Sequence, residues 1–65
     1  MVTSRLKLER VRKGLTQQKL ADFTAGILTQ VLISQIEHGR RPQPDEKAAL
    51  AHALDLPAAE LFPEK

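Results

Sequence analysis

The sequence has no cysteine, which excludes disulfide bridges, thiolate catalysis and cysteine-ligated zinc. A chain of 65 residues buries only about 60% of the surface that its unfolded form exposes. A protein of this size therefore needs a disulfide, a metal, a partner subunit or efficient helix packing for its stability. We expect residues 1–65 to form a single small domain that is stabilised by helix packing or by a partner.

Aromatic residues and long apolar runs are also scarce. Aromatics make up 3% of the chain, too few for the stacking platforms with which proteins bind single-stranded nucleic acid or RNA. The longest apolar runs, such as residues 48–51, span four positions, whereas a bilayer requires roughly 20. We expect a cytoplasmic protein that does not interact with a membrane.

The charge is unevenly distributed along the chain. Residues 1–41 contain 8 basic and 3 acidic residues, and residues 42–65 contain 2 basic and 5 acidic ones, so the net charges of +5 and −3 add to the overall +2. A basic segment of this size favours a surface that faces a polyanion.

Glycine, proline and threonine divide the chain into five short helices. Gly14 and Gly39 suit the left-handed geometry that ends a helix, and Thr16 and Thr29 are typical N-caps, whose hydroxyls accept hydrogen bonds from the first turn. The predicted helices cover residues 4–13, 17–24, 30–38, 44–54 and 57–62. Short loops between them indicate a compact all-α five-helix bundle.

The third predicted helix has two distinct faces. On a helical wheel, one arc holds the apolar residues Leu32, Ile33 and Ile36, and the opposite arc holds Gln30, Val31, Ser34, Gln35 and His38. The second arc offers amide and hydroxyl groups without a formal charge. Base edges suit such a face, because glutamine pairs bidentately with adenine and valine packs on the thymine methyl group.

Three segments resemble a known family: Leu-Thr-Gln-Gln-Lys-Leu-Ala at 15–21, Ile-Ser-Gln-Ile-Glu-His-Gly at 33–39, and Leu-Asp-Leu at 54–56 followed by Leu-Phe at 61–62. They look like the helix-turn-helix domain of lambdoid phage repressors, Cro proteins and Xre-type regulators. The resemblance extends from about residue 6 to residue 62. It implies that the second and third helices form the helix-turn-helix, with the third in the major groove of DNA.

The resemblance also implies roles for individual residues. The base-reading residues would be Gln30, Val31, Ser34 and Gln35. The residues expected to contact phosphates are Thr16, Gln17, Gln18, Thr29, Arg40 and Arg41, with additional charge from Arg5, Lys13 and Lys19. Arg10 and Glu37 match the positions of a structural ion pair in the family.

The chain departs from the family pattern in one place. Thirteen steps separate Leu20 from Ile33, where the family usually has eleven, so we expect a longer turn around residues 25–28. Phe23, Ile27 and Leu28 make this turn more apolar than a turn requires. These side chains either cover the loop or contact a second subunit or a partner protein.

Nothing in the sequence favours an enzyme. His38 and His52 lie fourteen residues apart without an acidic residue at ligand spacing, and Ser34 has no evident base. We expect no catalytic residue, no metal site and no cofactor.

The sequence therefore predicts a regulator that binds double-stranded DNA, represses transcription and acts as a homodimer on a palindromic operator, because one domain reads too few base pairs. We expect the dimer interface to use Leu56, Leu61 and Phe62. The alternative is an antitoxin-like or accessory module that binds a protein partner through the apolar turn at residues 23–28, with DNA binding secondary.

Overall fold

The computed structural model describes residues 4–62, and all regular secondary structure in that range is α-helical. The helices are α1 Arg5–Arg12, α2 Gln17–Asp22, α3 Gln30–Glu37, α4 Pro44–Leu54 and α5 Ala58–Leu61. The predicted all-α bundle of five helices is confirmed. Its Cα radius of gyration is 10.4 Å, as expected for a compact domain of this length.

The two predicted threonine caps begin the helices on which the candidate site depends. The Thr16 hydroxyl accepts a hydrogen bond from the backbone amide of Lys19 at 3.0 Å, and the Thr29 hydroxyl accepts one from that of Leu32 at 3.2 Å. Each bond satisfies an amide that has no partner within the helix. The first turns of α2 and α3 are therefore fixed by local sequence.

The observed ends of the helices differ slightly from the predicted ones. Helix α2 stops at Asp22, two residues before the predicted end, because the chain turns through left-handed conformations at Ala25 (φ 56°) and Gly26 (φ 84°). Helix α3 stops at Glu37, one residue early. Helix α1 lacks the predicted residues 4 and 13, which are its caps, and α5 begins after its cap at Pro57.

The longer turn between α2 and α3 is held together by Thr24. Its hydroxyl donates a hydrogen bond to the carbonyl of Ala21 at 2.7 Å and accepts one from the amide of Leu28 at 3.1 Å. Thr24 is itself buried, and so is Leu28, at 3% exposure. The two extra residues are thus accommodated in an ordered turn that inserts Leu28 into the core.

Every helix contributes to one apolar core. Its largest fully buried side chains are Leu6, Leu20, Ile33, Leu50, Leu54 and Leu61. Helices α2 and α3 pack closely against each other, α1 contacts α3 and α5, and α4 contacts α2 and α5. This packing holds α3 from behind, through Ile33 and Ile36, and leaves its other face to solvent.

Candidate nucleic-acid interface

The exposed face of α3 carries the residues expected to read bases. Gln30, Val31 and Gln35 are exposed, and Ser34 is half-buried between them and the core side of the helix. On the opposite side Ile33 and Ile36 are buried. The predicted division of the helix into two faces is therefore correct, and the exposed one keeps its neutral, amide-rich character.

The start of α2 lies beside the start of α3. The side-chain nitrogen of Gln30 donates a hydrogen bond to the side-chain oxygen of Gln17 at 2.7 Å. Since these residues belong to different helices, the bond joins the N-termini of α2 and α3 across the longer turn. Gln18 remains on the exposed side of α2, where its amide nitrogen donates to the Asp22 carboxylate at 3.0 Å.

The loop after α3 returns to the same face. Nη1 of Arg40 donates a hydrogen bond to Oε1 of Gln35 at 2.7 Å, and Gly39, with φ 114°, makes the sharp change of direction between them. Arg41 follows and is exposed. The structure thus brings together a predicted base-reading residue and a predicted phosphate-contacting residue.

Behind this face lies the pair formed by Arg10 of α1 and Glu37 of α3. The Arg10 Nε atom donates to one carboxylate oxygen of Glu37 at 2.6 Å, and Nη2 donates to the other at 3.2 Å. Nη1 of Arg10 donates in addition to the carbonyl of Leu15 at 2.7 Å. The side chains are only 10% and 1% exposed, respectively, so this is a buried, bidentate ion pair.

One connection was not predicted from the sequence. The amide nitrogen of Gln17 donates a hydrogen bond to Oε1 of Glu37 at 2.9 Å, so Gln17 links the buried ion pair to Gln30. Gln17 and Glu37 are twenty residues apart in the chain, and no local pattern indicates that their side chains meet. Only the crossing of α2 over α3 brings them into contact.

Several cations of the described residues have no carboxylate partner. Within residues 4–62 the ion pairs involve Arg5, Arg10 and Arg12. Arg5 contacts Glu9 at 3.5 Å and Glu60 at 3.6 Å, so we expect it to add less to the positive potential than its sequence position suggested. The cations without a carboxylate partner in this part of the chain include Lys13, Lys19, Arg40 and Arg41.

His38 is the C-terminal cap residue of α3. Nδ1 of His38 lies 2.7 Å from the backbone carbonyl of Ser34. In the described part of the chain no three metal-ligating side chains come together. None of the helices of residues 4–62 combines the length and the apolar character that crossing a membrane requires.

The apolar turn is divided between core and surface. Leu28 is buried, whereas Phe23 and Ile27 are 56% and 47% exposed. The two exposed side chains form one wall of an apolar groove whose other wall is α4, at Ala48, Ala49 and His52. Leu28 therefore covers the loop, as one of the two interpretations held, and Phe23 with Ile27 remains accessible to another molecule.

The expected dimer interface cannot include Leu61. Leu61 is 2% exposed and belongs to the core of its own chain, because α5 packs against α1 and α4. It is therefore not available to a second subunit. Leu56 and Phe62 are half-buried against the same core and retain some exposed surface.

Comparison with known proteins gives one match. A family model described as helix-turn-helix matches residues 6–61, which includes all but the first residue of α1 and the whole of the other four helices. Neither the curated proteins nor the solved structures contain a significant match to the chain.

Proposed function

The chain belongs to the Xre- and lambda repressor-like helix-turn-helix family of DNA-binding transcription regulators, and from this membership we propose that it is a sequence-specific repressor that acts as a homodimer on a palindromic operator. The observation that carries the proposal is the exposed, uncharged amide face of α3. The helix packs on the core through its other face, and the loop that follows it carries Arg40 and Arg41. A solvated surface helix would ordinarily carry lysine and glutamate at these positions. The cytoplasmic location expected from the sequence is part of the same proposal.

In this proposal α3 lies in the major groove, where Gln30, Val31, Ser34 and Gln35 contact base edges. Glutamine pairs with adenine through one donor and one acceptor, and valine packs on the methyl group of thymine. The arrangement is supported by the exposure of Gln30, Val31 and Gln35 and by the apolar contacts on the other side of the helix.

Phosphate contacts would flank the helix on both sides. Those on one side come from the capped starts of α2 and α3, and those on the other come from the loop after α3. The residues proposed for this role are Thr16, Gln17, Gln18, Thr29, Arg40 and Arg41. Such contacts set the register of the protein on the duplex and supply much of its salt-dependent affinity.

A homodimer is proposed because a single recognition helix reads only a few base pairs. Two half-sites one helical turn apart roughly double the specific energy. With Leu61 buried, the surface left for contact near α5 comprises the exposed parts of Leu56 and Phe62. Repression follows if the dimer occupies a site that the transcription machinery needs.

The test is selection of bound sequences from a random pool of duplexes, followed by affinity measurements against salt concentration. The proposal predicts an enriched palindrome, with an affinity that falls by a slope of about −0.9 per phosphate contact in a plot of log K against log salt. The variant Gln35→Ala, on the exposed face of α3, should lose its base preference at one base pair of each half-site and keep its fold. Uniformly weak binding without an enriched sequence would contradict the proposal.

A second function has one observation in its favour, the exposed apolar groove beside Phe23 and Ile27. On this alternative the protein is an antitoxin-like or accessory module and binds a partner protein there. Phe23→Ser would then abolish the protein complex and leave DNA binding intact, whereas Gln35→Ala would weaken the choice of DNA sequence and leave the protein complex intact. Leu28 is unsuitable for this comparison because its side chain is part of the core.

A further inference from the structure

We propose that Arg40, in the loop after α3, makes Gln35 a reader of guanine rather than of adenine. The proposal rests on the proposed DNA-binding function and deepens it, because it names the base that one position of the recognition helix accepts. Arg40 acts here as a positioning residue. It works through the side-chain amide of Gln35 and needs no contact with the base itself.

The turn that ends α3 brings Arg40 back onto Gln35. The backbone amide of Gly39 donates a hydrogen bond to the carbonyl of Ile36 at 3.1 Å, and that of Arg40 donates one to the carbonyl of Gln35 at 3.0 Å. With Gly39 at φ 114°, these two bonds form a Schellman motif, whose two outer residues commonly make an apolar side-chain contact. Here the outer residues are Gln35 and Arg40, so a polar contact takes its place.

The side-chain hydrogen bond between the two residues has a fixed direction. A guanidinium group has donors and no acceptor, so Nη1 of Arg40, at 2.7 Å, requires the oxygen of the Gln35 amide and not its nitrogen. The two N–H donors of the Gln35 amide are left without a partner among the described residues. The other N–H groups of Arg40 stay available for the phosphate contact proposed above.

This arrangement of donors matches guanine better than adenine. Guanine presents two acceptors in the major groove, N7 and O6, whereas adenine presents the N7 acceptor and the N6 donor. The free N–H groups of Gln35 suit the two acceptors of guanine. The N6 amino group of adenine would need the Gln35 oxygen, and there it would meet the charged guanidinium group of Arg40 as a second donor. Such a clash between donors discriminates against adenine.

Two variants with the same change of charge separate this effect from general attraction to DNA. Arg40→Ala removes the guanidinium group and keeps the backbone amide that closes the turn. Arg41→Ala is the matched control, because Arg41 is the next residue, is exposed and makes no hydrogen bond to Gln35. Each variant loses one positive charge. Far-UV circular dichroism establishes that both are folded.

The measurement compares two duplexes that differ at one base pair of the sequence selected by the native protein. They carry guanine or adenine at the position whose base preference Gln35→Ala abolishes. The native protein should prefer guanine by roughly 5- to 150-fold, the range for one good bidentate pair. Arg40→Ala should lower this ratio at least several-fold. Arg41→Ala should weaken binding to both duplexes alike and leave the ratio unchanged, as expected for a contact to phosphate.

Several results would overturn the proposal. They are a native preference for adenine at this position, a ratio that Arg40→Ala leaves at the native value, an equal fall of the ratio in Arg41→Ala, and a selected sequence that Gln35→Ala does not change. In each of these cases the native protein still selects a sequence, so the proposed function stands. If the native protein selects no sequence, the proposed function fails and the base preference fails with it.

A second measurement examines the contact in the free protein. The side-chain amide protons of Gln35 should shift in NMR spectra of Arg40→Ala, because the amide loses the charged donor at its oxygen, and should keep their positions in Arg41→Ala. Unchanged Gln35 amide resonances in Arg40→Ala would overturn the proposal whatever the outcome with DNA.

Discussion

Removal of one partner of the buried ion pair should destabilise the protein far more than removal of both. The Glu37 side chain is 1% exposed and that of Arg10 is 10% exposed. Breaking such a pair leaves an uncompensated charge and typically costs about 3–5 kcal/mol. A domain of 65 residues has a free energy of unfolding of only about 3–10 kcal/mol, so a single substitution should remove a large part of it.

The two single variants should not be equivalent. In Arg10→Met the Glu37 carboxylate keeps the Gln17 amide as its one described donor, and its side chain is only 1% exposed. In Glu37→Met the Arg10 guanidinium keeps the Leu15 carbonyl at 2.7 Å, and its longer, slightly exposed side chain can move its charge toward water. We expect Arg10→Met to be the more destabilising of the two.

The assay is urea unfolding followed by circular dichroism, with the native protein, both single variants and the double variant measured together. The double variant should be less destabilised than either single variant, because it leaves no unpaired buried charge and places apolar side chains in the same volume. If each single variant lowered the free energy of unfolding by less than about 1 kcal/mol, neither charge would depend on its partner, and the account would be refuted. The account would also be refuted if the double variant lost as much free energy of unfolding as the two single variants together.

The turn and the loop after α3 give three further expectations, each measured by urea unfolding. Leu28→Ala should cost about 2–5 kcal/mol, as for a core leucine, whereas Ile27→Ala, on the surface, should stay within about 0.5 kcal/mol; equal costs would contradict the observed division of the turn. Thr24→Val should cost about 1–3 kcal/mol because it leaves the amide of Leu28 buried without an acceptor, and a neutral result would mean that another group replaces the hydroxyl. Gly39→Ala should cost about 1 kcal/mol although open space surrounds the position, because φ 114° is unfavourable for any side chain, and no loss would show that the loop relaxes.

Local sequence accounts for much of the fold. Capping threonines and left-handed glycines act within one turn of the chain, so the number of helices and the starts of α2 and α3 were predictable from short-range chemistry. The ends of the helices were less predictable. Ala25 adopts φ 56°, a conformation that an alanine does not signal, and α2 therefore ends earlier than predicted.

The exposed face of α3 was predictable from the sequence, but the contacts among the side chains around it were not. Periodicity alone identified the exposed face of α3, because burial of Ile33 and Ile36 dictates where Gln30 and Gln35 point. Which amide bonds to which group depends on the distance between helices. The contacts of Gln17 with Glu37 and of Arg40 with Gln35 appear only when α2, α3 and the following loop are in place.

The helices, their caps and the division of α3 into a buried and an exposed face follow from interactions between residues a few positions apart, and the sequence therefore predicts them. Tertiary structure alone decided that Leu28 and Leu61 enter the core, that Phe23 and Ile27 remain outside it, and that the longer turn keeps α2 against α3. It also decided the hydrogen-bonded chain from Arg10 to Gln30. These contacts join residues distant in sequence, and their geometry is set by the packing of whole helices, to which no local pattern is sensitive.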